Sequence, residues 1–172
     1  MKVKLARKRL AAAATTLAAG AALLLNATPV QAATTFSVSD NCDVPWINCS
    51  EGDLHLNYNS MQYATDSSGK LLTSYASFYG DVYDYAGTSQ YQGSTLYTYE
   101  YVFGNGGNGN GQQVKNNAAS VWNCAPADNY YVYYNSGYLG HSQYFRHAYA
   151  YDCYWADLDS TLKNENASEH FA

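Results

Sequence analysis

The run Tyr134-Asn135-Ser136-Gly137-Tyr138-Leu139-Gly140 sets an aromatic ring six positions ahead of a glycine, directly after the alternating Tyr131-Val132-Tyr133. Alternation with a period of two marks a strand that turns one face to a core, and Asn-Ser-Gly marks the turn that ends it. Part of this run has an echo upstream, where Leu56-Asn57-Tyr58-Asn59-Ser60 matches Tyr133-Tyr134-Asn135-Ser136 with Tyr58 on Tyr134. A later echo follows each: Val114-Lys115-Asn116-Asn117-Ala118-Ala119-Ser120 and Leu162-Lys163-Asn164-Glu165-Asn166-Ala167-Ser168 both read apolar-Lys-Asn-x-x-Ala-Ser. Two signals repeated in the same order predict a domain of two duplicated β motifs.

The halves differ in length. Tyr58 to Asn116 spans 58 positions and Tyr134 to Asn164 spans 30, so the first half carries an insertion of 28. The Tyr-, Ser- and Asp-rich stretch 62–92 is its expected place, as an added β-hairpin. The tract Gly104-Asn105-Gly106-Gly107-Asn108-Gly109-Asn110-Gly111 follows. With glycines free to take positive φ and few side chains to anchor it, this tract is expected to have a mobile backbone.

Outward from these segments the chain keeps the same character. Leu54-His55-Leu56-Asn57-Tyr58 and Tyr97-Thr98-Tyr99-Glu100-Tyr101-Val102-Phe103 alternate, no window shows a helical repeat, and Tyr 19, Phe 5 and Trp 3 sit among Ser, Thr, Asn, Gln and Gly. Short strands joined by such turns predict an all-β sandwich or small barrel. With 172 residues, 47% hydrophobic and 13% charged, the chain fits one ordinary domain and is not a polytopic membrane protein.

The first nine residues carry Lys2, Lys4, Arg7, Lys8 and Arg9, followed by the uncharged run 10–25, Pro29 and the small-residue site Val30-Gln31-Ala32. This is the layout of a secretory signal peptide over residues 1–32, and the apolar run is short for a membrane span. Cleavage after Ala32 leaves four cations, Lys70, Lys115, Arg146 and Lys163, against 14 acids, a formal charge of −10. Such a chain is not expected to bind nucleic acid, which needs clustered Lys and Arg, nor an anionic membrane surface once the signal is removed.

All four cysteines, Cys42, Cys49, Cys124 and Cys153, lie after the signal, in a part expected to reach an oxidising compartment. Two disulfides are expected. Four cysteines allow three pairings, of which 42–49 with 124–153 is favoured because the first closes a short loop. The gaps are too irregular for a CxxC-type metal site.

The ring-to-glycine spacing at 134–140, followed by the 164–168 loop, resembles the βγ-crystallin Greek key. The resemblance implies that the aromatic residue lies over a folded hairpin with a strained glycine, and that a later Ser pins the hairpin by hydrogen bonds. From Cys49 onward the chain looks like family 36 of the peptidase inhibitors, the group of the streptomycete metalloproteinase inhibitor, whose members are small secreted actinobacterial proteins of βγ-crystallin-like fold. The matching features are Cys49-Ser50-Glu51-Gly52, the 134–140 run and the two Lys-Asn-x-x-Ala-Ser loops, over roughly residues 49–171. Residues 33–48 would then be an N-terminal extension and 49–172 the crystallin-like domain. Two places depart from the pattern: the second Cys expected six positions after Cys49 is His55, which leaves Cys42 as the nearest partner, and the glycine expected six after Tyr58 is Ala64. The family's reactive bond cannot be carried over, because nothing between 104 and 153 repeats its two closely spaced cysteines.

The function this resemblance implies is inhibition of an extracellular protease, a metalloprotease by the group's example, by a monomeric and non-enzymatic protein without a required cofactor. A rigid substrate-like loop serves that purpose because its ordering is already complete before binding. Cys124-Ala125-Pro126-Ala127, within 123–129, is the candidate presenting loop, since it joins a bridged Cys to a Pro. The alternative is a non-catalytic binding module. Calcium-binding βγ-crystallins use an Asn/Asp-Asn/Asp-x-x-Ser/Thr-Ser loop, partly matched by Asn116, Asn117 and Ser120 and by Asn164, Glu165 and Ser168. With Glu165 the single formal charge, any calcium affinity is expected to be weak, and the same side chains also hold tight turns. The tyrosines suggest a cell-wall carbohydrate as the other ligand. His55, His141, His147 and His170 form no hydrolase signature, and Asp81/Asp84 and Asp157/Asp159 read as a solvated acidic face.

Overall fold

Leu54 and Leu56 are completely buried while His55 between them faces away from the core, and this alternation fixes the second of the ten strands among the described residues. The computed structural model describes residues 32–149 and 152–172; all but Ala32 of the segment 1–32 expected to be a signal peptide lies outside them. The strands are β1 (Ala32–Val38), β2 (Leu54–Asn57), β3 (Tyr75–Phe78), β4 (Thr88–Gln92), β5 (Thr95–Tyr101), β6 (Ser120–Asn123), β7 (Tyr130–Asn135), β8 (Leu139–Phe145), β9 (Tyr154–Asp157) and β10 (Ser168–Phe171). Among the described residues only short 3₁₀ turns, Asn41–Asp43 and Met61–Tyr63, interrupt them. The chain is an all-β sandwich. No helix among the described residues is long and apolar enough to cross a membrane.

One sheet has the order β3-β2-β6-β9 and a second the order β10-β7-β8. In each half a hairpin forms first, β2–β3 or β7–β8, and the last strand returns antiparallel beside its first member, β6 beside β2 and β10 beside β7. The remaining strand crosses to the other half: β9 pairs with β6, and the segment at Val82 pairs with Glu169 of β10. The exchange is mirrored in single bonds. Tyr85 donates its N–H to Ala167 O at 2.8 Å, and Leu158 donates to Ala119 O at 3.0 Å. Each half therefore completes the other's sheet, and Leu54, Leu56, Phe78 and Val121 of one meet Tyr130, Val132 and Phe145 of the other in a single core.

A third sheet, β1-β5-β4, was not expected from the sequence. β1 runs parallel to β5 with Phe36 opposite Tyr99, so the stretch 33–48, read as an extension, is built into the domain. The expected alternation in β5 holds: Tyr99 and Tyr101 are buried, Tyr101 edge-on to Phe78 at 5.2 Å. The interval 62–92, expected to hold the extra length, contains β3, a core strand paired with β2. The added hairpin is β4–β5, which only begins inside that interval.

The Gly/Asn tract is tied down, contrary to the mobility expected of it. Gly104 donates to Tyr75 O at 2.9 Å, Asn108 donates to Leu72 O at 2.7 Å, and Ser74 donates to Asn108 O at 2.9 Å. It is fastened by isolated bridges to the segment 72–75, which leads into β3. At its centre Gly109, with φ +88°, lies under the Tyr58 ring, where a Cβ would come within 2.1 Å of Cγ. The glycine missing at position 64 is thus supplied by the tract. Absence of side chains here permits close backbone approach rather than freedom.

Candidate functional site

The two disulfides join Cys42 to Cys49 and Cys124 to Cys153, the pairing favoured from the sequence. The second ties the β6–β7 loop to the β8–β9 loop. Asn123, the last residue of β6, is fully buried and organises both. Its Nδ2 donates toward Asp128 O at 2.9 Å, Arg146 O at 3.1 Å and Phe145 O at 3.3 Å, while its Oδ1 accepts from Ala125 N at 3.0 Å. Ala148 N donates to Ala125 O at 2.8 Å, and His147 N donates to Asn129 Oδ1 at 2.9 Å. Arg146 lies over the Tyr154 ring at 4.4 Å and the Tyr149 ring at 4.7 Å.

Of the four residues expected to present the loop, Ala125 is completely buried and Cys124 half-buried; Pro126 and Ala127 form the exposed tip. The tip is short because Ala125 is drawn into the core by hydrogen bonds at both its N–H and its carbonyl. The arrangement offers one exposed peptide bond on a frame held by a disulfide, an asparagine and a cation–π contact. Asn123 was not singled out in the sequence, and nothing in a lone Asn marks it as a loop support.

The two loops read as calcium candidates are bonded to each other. Asn116 N donates to Asn166 O at 2.8 Å, and Asn164 N donates to Ala118 O at 2.8 Å. Asn116 and Asn164 take positive φ, 61° and 60°, a conformation that Asn tolerates better than most residues. Ser120 Oγ donates to Asn59 O at 2.7 Å and Ser168 Oγ to Asn135 O at 2.7 Å; Tyr138 N donates back to Ser168 at 3.1 Å. Asn117 Nδ2 donates to Lys115 O at 3.1 Å, and Glu165 is exposed. These oxygens and amides hold turns.

A lysine marks each junction. Lys115 Nζ reaches Asp84 Oδ2 at 3.0 Å and Ser136 Oγ at 2.8 Å, and Lys163 Nζ reaches Ser60 Oγ at 2.5 Å. The Lys of each Lys-Asn-x-x-Ala-Ser loop therefore meets the Ser of the other half's Tyr-Asn-Ser. Burial works against ionising Asp84, but the Ala86 N–H, Lys115 and Ser136 outweigh it and hold the carboxyl below its ordinary range. Among the described residues no group of three or more His, Cys, Asp or Glu is placed to hold a metal ion.

The histidines are dispersed. His141 Nε2 lies 2.6 Å from Asp159, His147 contacts Asn129, and His170 stacks on Tyr133 at 5.4 Å. His55 lies on the outer face of the first sheet, 2.9 Å from Ser77 Oγ, and burial pushes its pKa down to about 4 against a partial opposing effect of Asp40. Of the acids, Asp157 accepts from Met61 N at 2.7 Å and Asp81 from Phe171 N at 3.0 Å. These groups are separated around the sandwich rather than gathered in one cleft.

Fold and loops together define a disulfide-braced β-sandwich with an ordered, narrowly exposed loop at one end. Comparison with family models, with curated proteins and with solved structures returned no match to this chain.

Proposed function

We propose that the chain is a secreted proteinaceous peptidase inhibitor, directed at an extracellular metalloprotease and related to family 36 of the peptidase inhibitors. The observation that carries the reading is the ordered loop. Asn123, Cys124–Cys153 and the bonds of Ala125 fix the backbone on either side of Pro126-Ala127 before any partner arrives. A loop in that condition loses little further entropy on binding and resists turnover. Two disulfides suit export to an oxidising compartment.

The strand order supports the crystallin-like relationship. In each half the fourth strand lies beside the first and the third crosses over, and a Ser hydroxyl pins each hairpin, as the resemblance implies. Gly137 and Gly140 take positive φ, 72° and 81°, in the hairpin over which the run at 134–140 folds.

Replacement of Pro126 and Ala127 together by Gly tests the site, since it loosens the tip without touching buried Ala125. Inhibition of a susceptible protease is expected to weaken at least tenfold, with the melting temperature little changed. Undiminished inhibition by the double variant would place the inhibitory bond elsewhere.

A further inference from the structure

The outer face of the β10-β7-β8 sheet is paved with aromatic rings. Tyr131 and Tyr133 of β7 point away from the core because Tyr130 and Val132 between them point into it. Tyr144 stands beside Tyr131 at 5.3 Å between centroids, Tyr131 beside His170 at 6.1 Å, His170 beside Tyr138 at 5.3 Å, and Tyr138 beside Tyr83 at 5.9 Å. The track thus crosses the whole sheet and its two ends are the most open, Tyr144 at 47% and Tyr83 at 68% exposure.

Tyr83 also lines a cavity of about 420 Å³ with Trp46, Tyr101, Asp81, Asp84 and Ser89. Track and cavity therefore share a residue, Tyr83.

Charge decides what this surface suits. Asp81 and Asp84 in the wall, on a chain of formal charge −10 after signal removal, oppose an anionic polymer. A cation is poorly served too, because Asp84 is already paired with Lys115 at 3.0 Å. What remains is a neutral ligand with apolar C–H faces for the rings and hydroxyls for the phenols and carboxylates, since tyrosine offers an apolar body with a polar tip. We propose that Tyr144, Tyr131, His170, Tyr138 and Tyr83 form a binding track for a neutral polysaccharide, ending in the cavity between Tyr83 and Trp46. The site is separate from the Pro126 loop and does not depend on peptidase inhibition.

The test is affinity electrophoresis of the oxidised protein in native gels containing hydroxyethylcellulose, glycol chitin or soluble β-glucan, with a polylysine gel and a gel without polymer as references. At least one neutral polymer is expected to retard the parent. Tyr83→Ala and, independently, Tyr144→Ala should each reduce that retardation at least threefold, whereas the Pro126→Gly, Ala127→Gly variant should match the parent. Far-UV circular dichroism verifies that each variant is folded, and Tyr144, open at the sheet edge, provides the reading if Tyr83→Ala is not. Absence of retardation in every neutral gel, equal retardation of parent and folded tyrosine variants, or retardation by polylysine alone would overturn the proposal.

Discussion

Glu169 carries a carboxyl into the core, completely buried, with Oε2 accepting from the Tyr85 hydroxyl at 2.8 Å and Oε1 without a protein partner. Burial raises its pKa well above the ordinary value, and the Tyr85 hydrogen bond opposes this only in part. A carboxyl whose folded pKa is raised contributes stability at low pH that is lost as pH rises through the folded value. Glu169→Gln keeps shape and an acceptor, so it should differ from the parent by less than about 1 kcal/mol at pH 5 and become progressively more stable than the parent at pH 7 and 9, where only the parent loses stability. Glu169→Ala leaves the Tyr85 hydroxyl unpaired over a cavity and should cost about 3 kcal/mol. Urea unfolding of the three proteins at pH 5, 7 and 9 measures both effects. His55 has the opposite sign. Its folded pKa of about 4 lies below the ordinary histidine value of about 6.5, so its contribution is full above pH 6.5 and declines as pH falls toward 4, by up to about 3 kcal/mol. His55→Gln should flatten the stability profile between pH 6.5 and 4.5; a profile as steep as the parent's would show that other groups govern it. Neither residue announces itself in the sequence. Glu169 sits in Ser168-Glu169-His170, which reads as surface, and it becomes buried because the segment at Val82 closes over β10.

Hairpins and loops decide how the elements hold together. The Cys124–Cys153 bridge spans a sequence separation of 29 and Cys42–Cys49 one of 7. Chain-entropy arguments give about 3.5 kcal/mol for the longer closure and about 2.5 kcal/mol for the shorter. Cys124→Ala with Cys153→Ala should therefore lower denaturant stability more than the Cys42, Cys49 pair does, and should also increase proteolytic nicking near Pro126. Equal losses would mean that the loop is held by Asn123 and not by the bridge. Much at this scale was legible beforehand. The alternation at 54–58, 97–103 and 131–133 marks β2, β5 and β7, because a half-buried strand imposes a period of two on its residues. β1 was not legible: Ala32-Ala33-Thr34-Thr35-Phe36 has no alternation, and a parallel partner 63 positions along the chain leaves no local trace. The tract at 104–111 misled because composition reports conformational freedom, whereas its order comes from β3 and from Tyr58.

For the molecule as a whole, the duplicated echoes carried more information than any motif. They implied two related halves, and the structure joins those halves through the echoed residues: Lys115 with Ser136, Lys163 with Ser60, and the two Asn loops with each other. Length alone could not place the extra segment, since 28 positions can be added in several pieces: β3 and β4 lie within the interval where the insertion was expected, while β5 lies beyond it. Chemistry was the least legible level, because a presenting loop or an aromatic track exists only once distant strands are brought together. The most direct measurement is a titration of the oxidised protein, residues 33–172, against a thermolysin-like metalloprotease and a subtilisin-like serine protease, followed by residual activity. The account predicts a linear, stoichiometric loss of the metalloprotease's activity that is abolished when the protein is unfolded and its disulfides are reduced. Full activity of both proteases beside an excess of folded protein would contradict it.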